Sequence, residues 1–175
     1  MCRIKGVFLL SVFLLSCFYY PQNAQAATVA KIGYADVASV FDGYDKTKEE
    51  DSKLGVKSQS KQAQRDKMVE SVRNMRNELE LLSEKQKEKK QAQIDDEIRR
   101  LQDFDREGKA ELQRERDDMV RVILKDIETV INEYAIKNGY TMILNSRVLE
   151  YALEEYNITK EVLNLLNSKY RKNGR

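Results

Sequence analysis

The sequence predicts a mostly α, α+β protein in which a long antiparallel helical hairpin, coiled-coil-like, projects from a small β-rich body. Three observations predict it. The 94 residues from Asp45 to Asn138 contain no proline, only two glycines (Gly55 and Gly108) and only two aromatics (Phe104 and Tyr134), while 45 of them are Asp, Glu, Lys or Arg. Such a composition suits long exposed helix and cannot fill a globular core. An apolar seam runs into this stretch and out again, as two helices folded back on each other require. Short strand-like segments lie on either side of it.

The chain opens on Arg3 and Lys5, followed by a 14-residue run from Val7 to Tyr20 broken only by Ser11 and Ser16, and then Ala24, Gln25 and Ala26. A positive start, a short apolar run and a small-x-small site predict a secretory signal peptide over residues 1–26, cut between Ala26 and Ala27. The run is shorter than the roughly 20 residues a membrane span needs. Leu14, Leu15, Ser16 and Cys17 also resemble a lipobox, so the alternative is an anchor on a lipidated Cys17. Removal of residues 1–26 takes away both cysteines, the single proline, Arg3 and Lys5, leaving 29 basic against 29 acidic residues and no histidine. The exported chain cannot use disulfides, and its neutral balance argues against nucleic acid as a partner.

Residues 27–44 read as the first part of the body. Val29 to Ala35 has the length and moderate alternation of a strand, with Gly33 marking close backbone approach. Asp36 is placed to cap a short helix whose apolar face is Val37, Val40 and Phe41.

The arm occupies residues 45–138. Its first helix is expected from about Asp45 to Glu84. Lys57 to Lys67 is polar on every face, after which Met68, Val72, Met75, Leu79 and Leu82 recur at the 4, 3, 4, 3 spacing of a coiled-coil seam. Ser83 to Lys90 has no apolar side chain and is the expected reversal. Beyond it Ile94, Ile98 and Leu101 resume the seam, and one antiparallel register sets Leu79 against Ile94, Met75 against Ile98 and Val72 against Leu101. That register centres the turn near Gln86 and Lys87 and places Leu54 opposite Met119. The returning helix, about Gln91 to Lys137, turns polar at Asp105, Gly108 and Glu115, then broadens into Val122, Ile123, Ile127, Val130 and Ile131, a face wide enough for burial in a body. The polar middle is expected to pack loosely and to flex, with Gly55 and Gly108 as candidate hinges. Lys85, Lys87, Lys89 and Lys90 are a candidate basic contact at the tip.

Residues 139–175 complete the body. Gly139 suits the position after the helix end, Tyr140–Leu144 and Val148–Leu153 are expected to pair as a hairpin about Asn145 and Ser146, and Thr159 is expected to cap a last helix carrying Val162, Leu163, Leu165 and Leu166. A body of this size without disulfide or metal is marginal alone, which points to self-association.

The segments KIGYADVASVF (Lys31 to Phe41), NGYTMILN (Asn138 to Asn145) and YNITKEVLNLLN (Tyr156 to Asn167), in this order around a charged helical hairpin, resemble the Skp/OmpH family of periplasmic chaperones. The resemblance implies a homotrimer with a β-rich body and three arms enclosing a cavity, where unfolded outer-membrane proteins are held without ATP. Asn157 stands where the family has Asp, and the mature chain is neutral where the best-studied type is strongly basic. Peripheral membrane contact therefore gains no support from charge. Enzymatic chemistry has little to stand on, because the mature chain lacks the His and Cys that most bases, thiol nucleophiles and metal sites use; catalytic, cofactor-binding and metal-ligating residues are not expected. The alternative is a structural or adaptor coiled coil of the cell envelope.

Overall fold

The computed structural model describes residues 30–173. The expected signal segment, with Cys17, Ala26 and Ala27, lies outside them. The elements run β1 (Ile32–Ala35), α1 (Val37–Gly43), α2 (Asp45–Leu79), α3 (Glu84–Asn138), β2 (Met142–Asn145) and α4 (Thr159–Asn173), with single 3-10 turns at Ser146–Val148 and Glu154–Tyr156. At 1.5 Å per residue α2 is about 50 Å long and α3 about 80 Å.

Asp36 begins the helical part as expected. Its carboxylate accepts from the backbone N–H of Ala38 at 3.0 Å and Ser39 at 3.1 Å. The Ser39 hydroxyl donates to the same group, and these bonds hold the carboxyl below its usual range. At the far end of α3, Gly139 adopts φ 68°, and the N–H of Tyr140 donates to the carbonyl of Ala135 at 2.9 Å. A left-handed residue there satisfies the last carbonyls of a helix, and glycine adopts that conformation without a Cβ penalty.

The reversal of the arm falls at Glu80 to Ser83, earlier than the expected Ser83–Lys90 and its centre at Gln86 and Lys87. Ser83 and Gln86 explain the shift. The Ser83 N–H and hydroxyl both donate to Oε1 of Gln86, at 3.3 and 2.7 Å, a capping-box arrangement that starts α3 at Glu84. Serine three residues ahead of glutamine was the available signal; the uniformly charged run around it hid it. Leu82 consequently lies in the turn and not on α2, and Leu81 beside it is 87% exposed.

The sheet is smaller than expected and differently paired. β1 spans four residues and lies parallel to β2, with Ile32 against Met142 and Ala35 against Asn145. On its other side Tyr34 makes an isolated bridge to Asn157, and its carbonyl accepts from the N–H of Ile158 at 2.9 Å. Val148–Leu153 is not a strand. The Asn145 side chain accepts from the N–H of Arg147 at 3.1 Å, which curls the chain into a 3-10 turn where a hairpin was expected. The body is thus mainly helical, with a two-stranded parallel sheet on it.

Thr159 also differs from its expected role. Its hydroxyl accepts from the N–H of Asp36 at 2.9 Å, tying the start of α4 to the start of α1, while Asn157 accepts from the N–H and hydroxyl of Thr159.

The core gathers Ala35, Val40, Tyr44, Ile123, Ile127, Val130, Ile158, Val162 and Leu166, so the root of α3 is buried between α1 and α4. Gly43 lets this happen, because a Cβ there would meet Leu163 at 2.7 Å. Tyr44, at the start of α2, is buried with its hydroxyl 3.4 Å from Asp126; burial, reinforced by that carboxylate, pushes its pKa up to about 12. Asn167 of α4 completes the joint, accepting from the N–H of Asp45 at 2.8 Å and donating to the carbonyl of Gly43 at 3.3 Å.

Candidate functional site on the helical arm

The arm falls into three zones with different chemistry. Towards the tip, the seam residues lie as heptad spacing directs them. Val72 and Ile94 are buried and Met68, Met75, Leu79, Ile98 and Leu101 half-buried. Ile94 is among the largest fully buried side chains of the described residues, although it lies far along a two-helix arm. Closing this zone, Lys90 of α3 pairs with Glu78 of α2. The tip lysines do not form one cluster of free cations. Lys90 is used in that pair, Lys87 bonds Glu84 at 2.8 Å within the first turn of α3, and only Lys85 and Lys89 stand exposed without a salt bridge among the described residues.

The middle zone is built from charge. Between Leu54 and Met68, α2 offers no buried apolar side chain; Val56 is 65% exposed. In place of a seam, Lys57 pairs with Glu111 at 2.5 Å and with Glu115, Lys61 pairs with Glu111 at 2.8 Å, and Arg65 pairs with Asp105 at 3.0 Å. Lys57, Lys61 and Arg65 recur every four residues and so stack on one face of α2. Hydrogen bonds from Lys57, then Lys61, hold the Glu111 carboxyl down to about 2. The Lys61 ammonium also stands 5.5 Å from the ring centroid of Phe104. Gly55 and Gly108 are both helical here and line one groove of about 530 Å³ with Leu54, Phe104 and Leu112. Gly108 is covered by the stem of Lys61 and serves as a seat for that side chain.

The root zone carries the widening apolar face. Ile123, Ile127 and Val130 enter the core, and Ile131 packs against it. Val122, 48% exposed, instead joins Leu54, Met119 and Ile123 in a cleft of about 440 Å³ beside Lys46, Lys57 and Glu115. Leu54 and Met119 thus line one cleft from opposite helices. Lys46 pairs with Asp126 at 2.8 Å at the base. From there to Arg65 every cross-helix pair has its cation on α2 and its anion on α3, and the sign reverses only at Glu78 and Lys90.

The body presents large apolar side chains to solvent. Tyr151 is 81% and Val148 71% exposed, and Ile32 and Met142, register partners on β1 and β2, are also exposed. The edge of β2 away from β1 is unpaired among the described residues. Exposed apolar side chains and open strand edges are features that association surfaces commonly carry. Among the described residues no group of acidic, His or Cys side chains is arranged to hold a metal, and no helix is long and apolar enough to cross a membrane.

No curated protein matches the chain. Its fold is similar to the crystal structure of a candidate outer membrane chaperone (OmpH-like) from Caulobacter crescentus CB15, with a TM-score of 0.75 and 14% identity over 86% of this chain and 91% of that one. At that identity the likeness speaks for the fold. The sequence itself matches the family described as outer membrane protein (OmpH-like) over residues 31–166, from β1 through both arm helices into α4. This chain is therefore a member of the OmpH-like family, the one its motifs resemble.

Proposed function

We propose that this chain is an exported, ATP-independent holdase chaperone of the periplasm. In this reading unfolded outer-membrane proteins are enclosed between helical arms and kept from aggregating. The observation that carries it is the architecture itself. A charged hairpin with little apolar seam in its middle projects from a body whose apolar side chains Val148, Tyr151, Ile32 and Met142 are left exposed. Residues 27–44 and 139–175 act as the association unit, residues 45–138 as the arm, and a homotrimer brings arms around a shared space. Contacts to clients are dispersed and weak, which suits an arm whose charges are spread along its whole length. Clients are bound by enclosure more than by net charge, because the mature chain is neutral.

The decisive assay dilutes a urea-unfolded outer-membrane β-barrel into buffer with and without the purified mature protein and no ATP. Suppression of turbidity at one trimer per client is expected. A folded protein that leaves aggregation unchanged, yet captures one folded envelope partner, is instead the adaptor coiled coil. Light scattering checks the assembly; a monomeric mass at micromolar concentration removes the enclosure. Export is read from the first residue of the mature protein, Ala27 being expected and a lipidated Cys17 overturning it.

A further inference from the structure

The arm is held at both ends by apolar burial and in its middle by charge. Towards the tip Val72 and Ile94 are buried, and at the root Ile123, Ile127 and Val130 join the core. Between them Leu54, Phe104 and Leu112 are only half-buried, and the polar cross-helix links are the ion pairs of Lys57, Lys61 and Arg65 with Glu111, Glu115 and Asp105. We propose that this ladder is a salt-gated hinge: paired, it straightens the arm; screened, it releases α2 from α3 over residues 57–65 and 105–115 and lets the arm bend there.

The physical basis is the unlike response of the two kinds of contact. Half-exposed ion pairs each contribute little and are screened as the Debye length falls from about 10 Å at 0.1 M salt to about 3 Å at 1 M. Burial of apolar side chains is not weakened by simple salt in this way. Added salt therefore loosens the middle while tip and body keep their grip. Geometry sharpens the position. Glu111 is shared by Lys57 and Lys61, and Lys61 also covers Gly108 and faces Phe104, so losing one lysine frees several contacts at once.

Hydrogen exchange on the full mature protein tests this without any client, so its result stands apart from the aggregation assay. Between 20 mM and 500 mM NaCl, peptides covering 57–65 and 105–115 are expected to exchange at least about threefold faster, the effect of losing a modest ion-pair contribution. Peptides covering 68–79, 94–101 and 158–167 are expected to change far less. A variant carrying Lys57→Gln, Lys61→Gln and Arg65→Gln, checked for helix content by circular dichroism, should exchange fast in the middle at both salt concentrations. An equal salt response in all regions overturns the hinge, and so does a wild-type salt response in the ladder-free variant.

Discussion

Lys61 lies across Gly108. Its Cδ is 3.4 Å from where a glycine Cβ would stand, and its ammonium reaches on to Glu111 at 2.8 Å. Glycine here makes room for a side-chain stem, and the space left is that of an ordinary contact. Alanine at 108 should therefore fit, and it relieves the roughly 1 kcal/mol that glycine costs inside a helix. Gly55, with nothing within 4 Å, offers the same gain. Gly55→Ala and Gly108→Ala are each expected to raise the melting temperature by about 2–4 °C. Their effects should add, because the two sites share no contact. A fall in melting temperature for Gly108→Ala would mean that the stem of Lys61 cannot yield at all.

Gly139 and Gly43 should behave in the opposite way. Gly139 sits at φ 68°, where an L side chain is strained by roughly 1–2 kcal/mol. A Cβ at Gly43 would run into Leu163, which packs on the core. Either alanine substitution is expected to lower the urea midpoint at unchanged m-value, with Gly43→Ala the larger effect. A neutral Gly43→Ala would show that α4 can shift away from the α1–α2 joint.

Much of this fold was legible in the sequence because it is local. Asp36 as a cap, Gly139 as a helix end and the Met68 to Leu79 spacing each depend on residues a few positions apart. What escaped depends on residues far apart. Ile32 pairs with Met142, Thr159 reaches Asp36 and Asn167 reaches Asp45, and no spacing rule announces such partners. The ladder was hidden for a different reason. With 45 charged residues in the arm, only the three-dimensional register decides which cation meets which anion. Loose packing was expected in the middle, and the ion pairs that cross it there could not be read from spacing.

Glu111 gives that ladder a pH signature. Facing Lys57 and Lys61 from α3, its carboxyl is lowered from the usual 4.5 to about 2. A carboxyl lowered on folding contributes stability that is present above its unfolded value and is lost as pH falls through about 2. Acidification from pH 7 to pH 5 should thus leave Glu111 ionised. A carbon-13 NMR titration should place Glu111 well below the exposed glutamates, and Lys57→Met should move its midpoint back up. A wild-type midpoint near 4.5 would remove the pairing from solution.

Ile94 and Ile123 are both fully buried, yet in different surroundings. Truncation of either to alanine removes packing worth about 2–5 kcal/mol. Ile123→Ala acts in the core shared by α1, α3 and α4 and should lower the global urea midpoint. Ile94→Ala acts in a two-helix seam and should speed hydrogen exchange around 72–79 and 90–98 while exchange in α4 stays as in the wild type. Equal loss of protection in α4 for Ile94→Ala would mean that arm and body unfold as one unit.

Asn167 is a buried polar residue that fastens the arm to the body. Its Oδ1 accepts from the N–H of Asp45 and its Nδ2 donates to the carbonyl of Gly43, so one side chain of α4 satisfies both backbone groups that flank Tyr44. The N–H of Asp45 belongs to the first turn of α2, where no intrahelical acceptor exists. Asn167→Leu keeps the branched shape of the side chain, though with bulkier methyl ends, and strands both groups away from water, which should cost about 1–3 kcal/mol. Arg171 to Asp45 and Tyr170 to Glu49 remain in that variant, but both are exposed and replace little. Asn167→Asp retains the acceptor for Asp45, loses the donor to Gly43, and should fall between the two. The expected order of urea midpoints is wild type, Asp, Leu, with amide protection lost first at Asp45 to Glu49 and the tip unaffected. A leucine variant as stable as the wild type would place the fastening in the apolar contacts of Tyr44 and Leu166, and Asn167 would be only filling space.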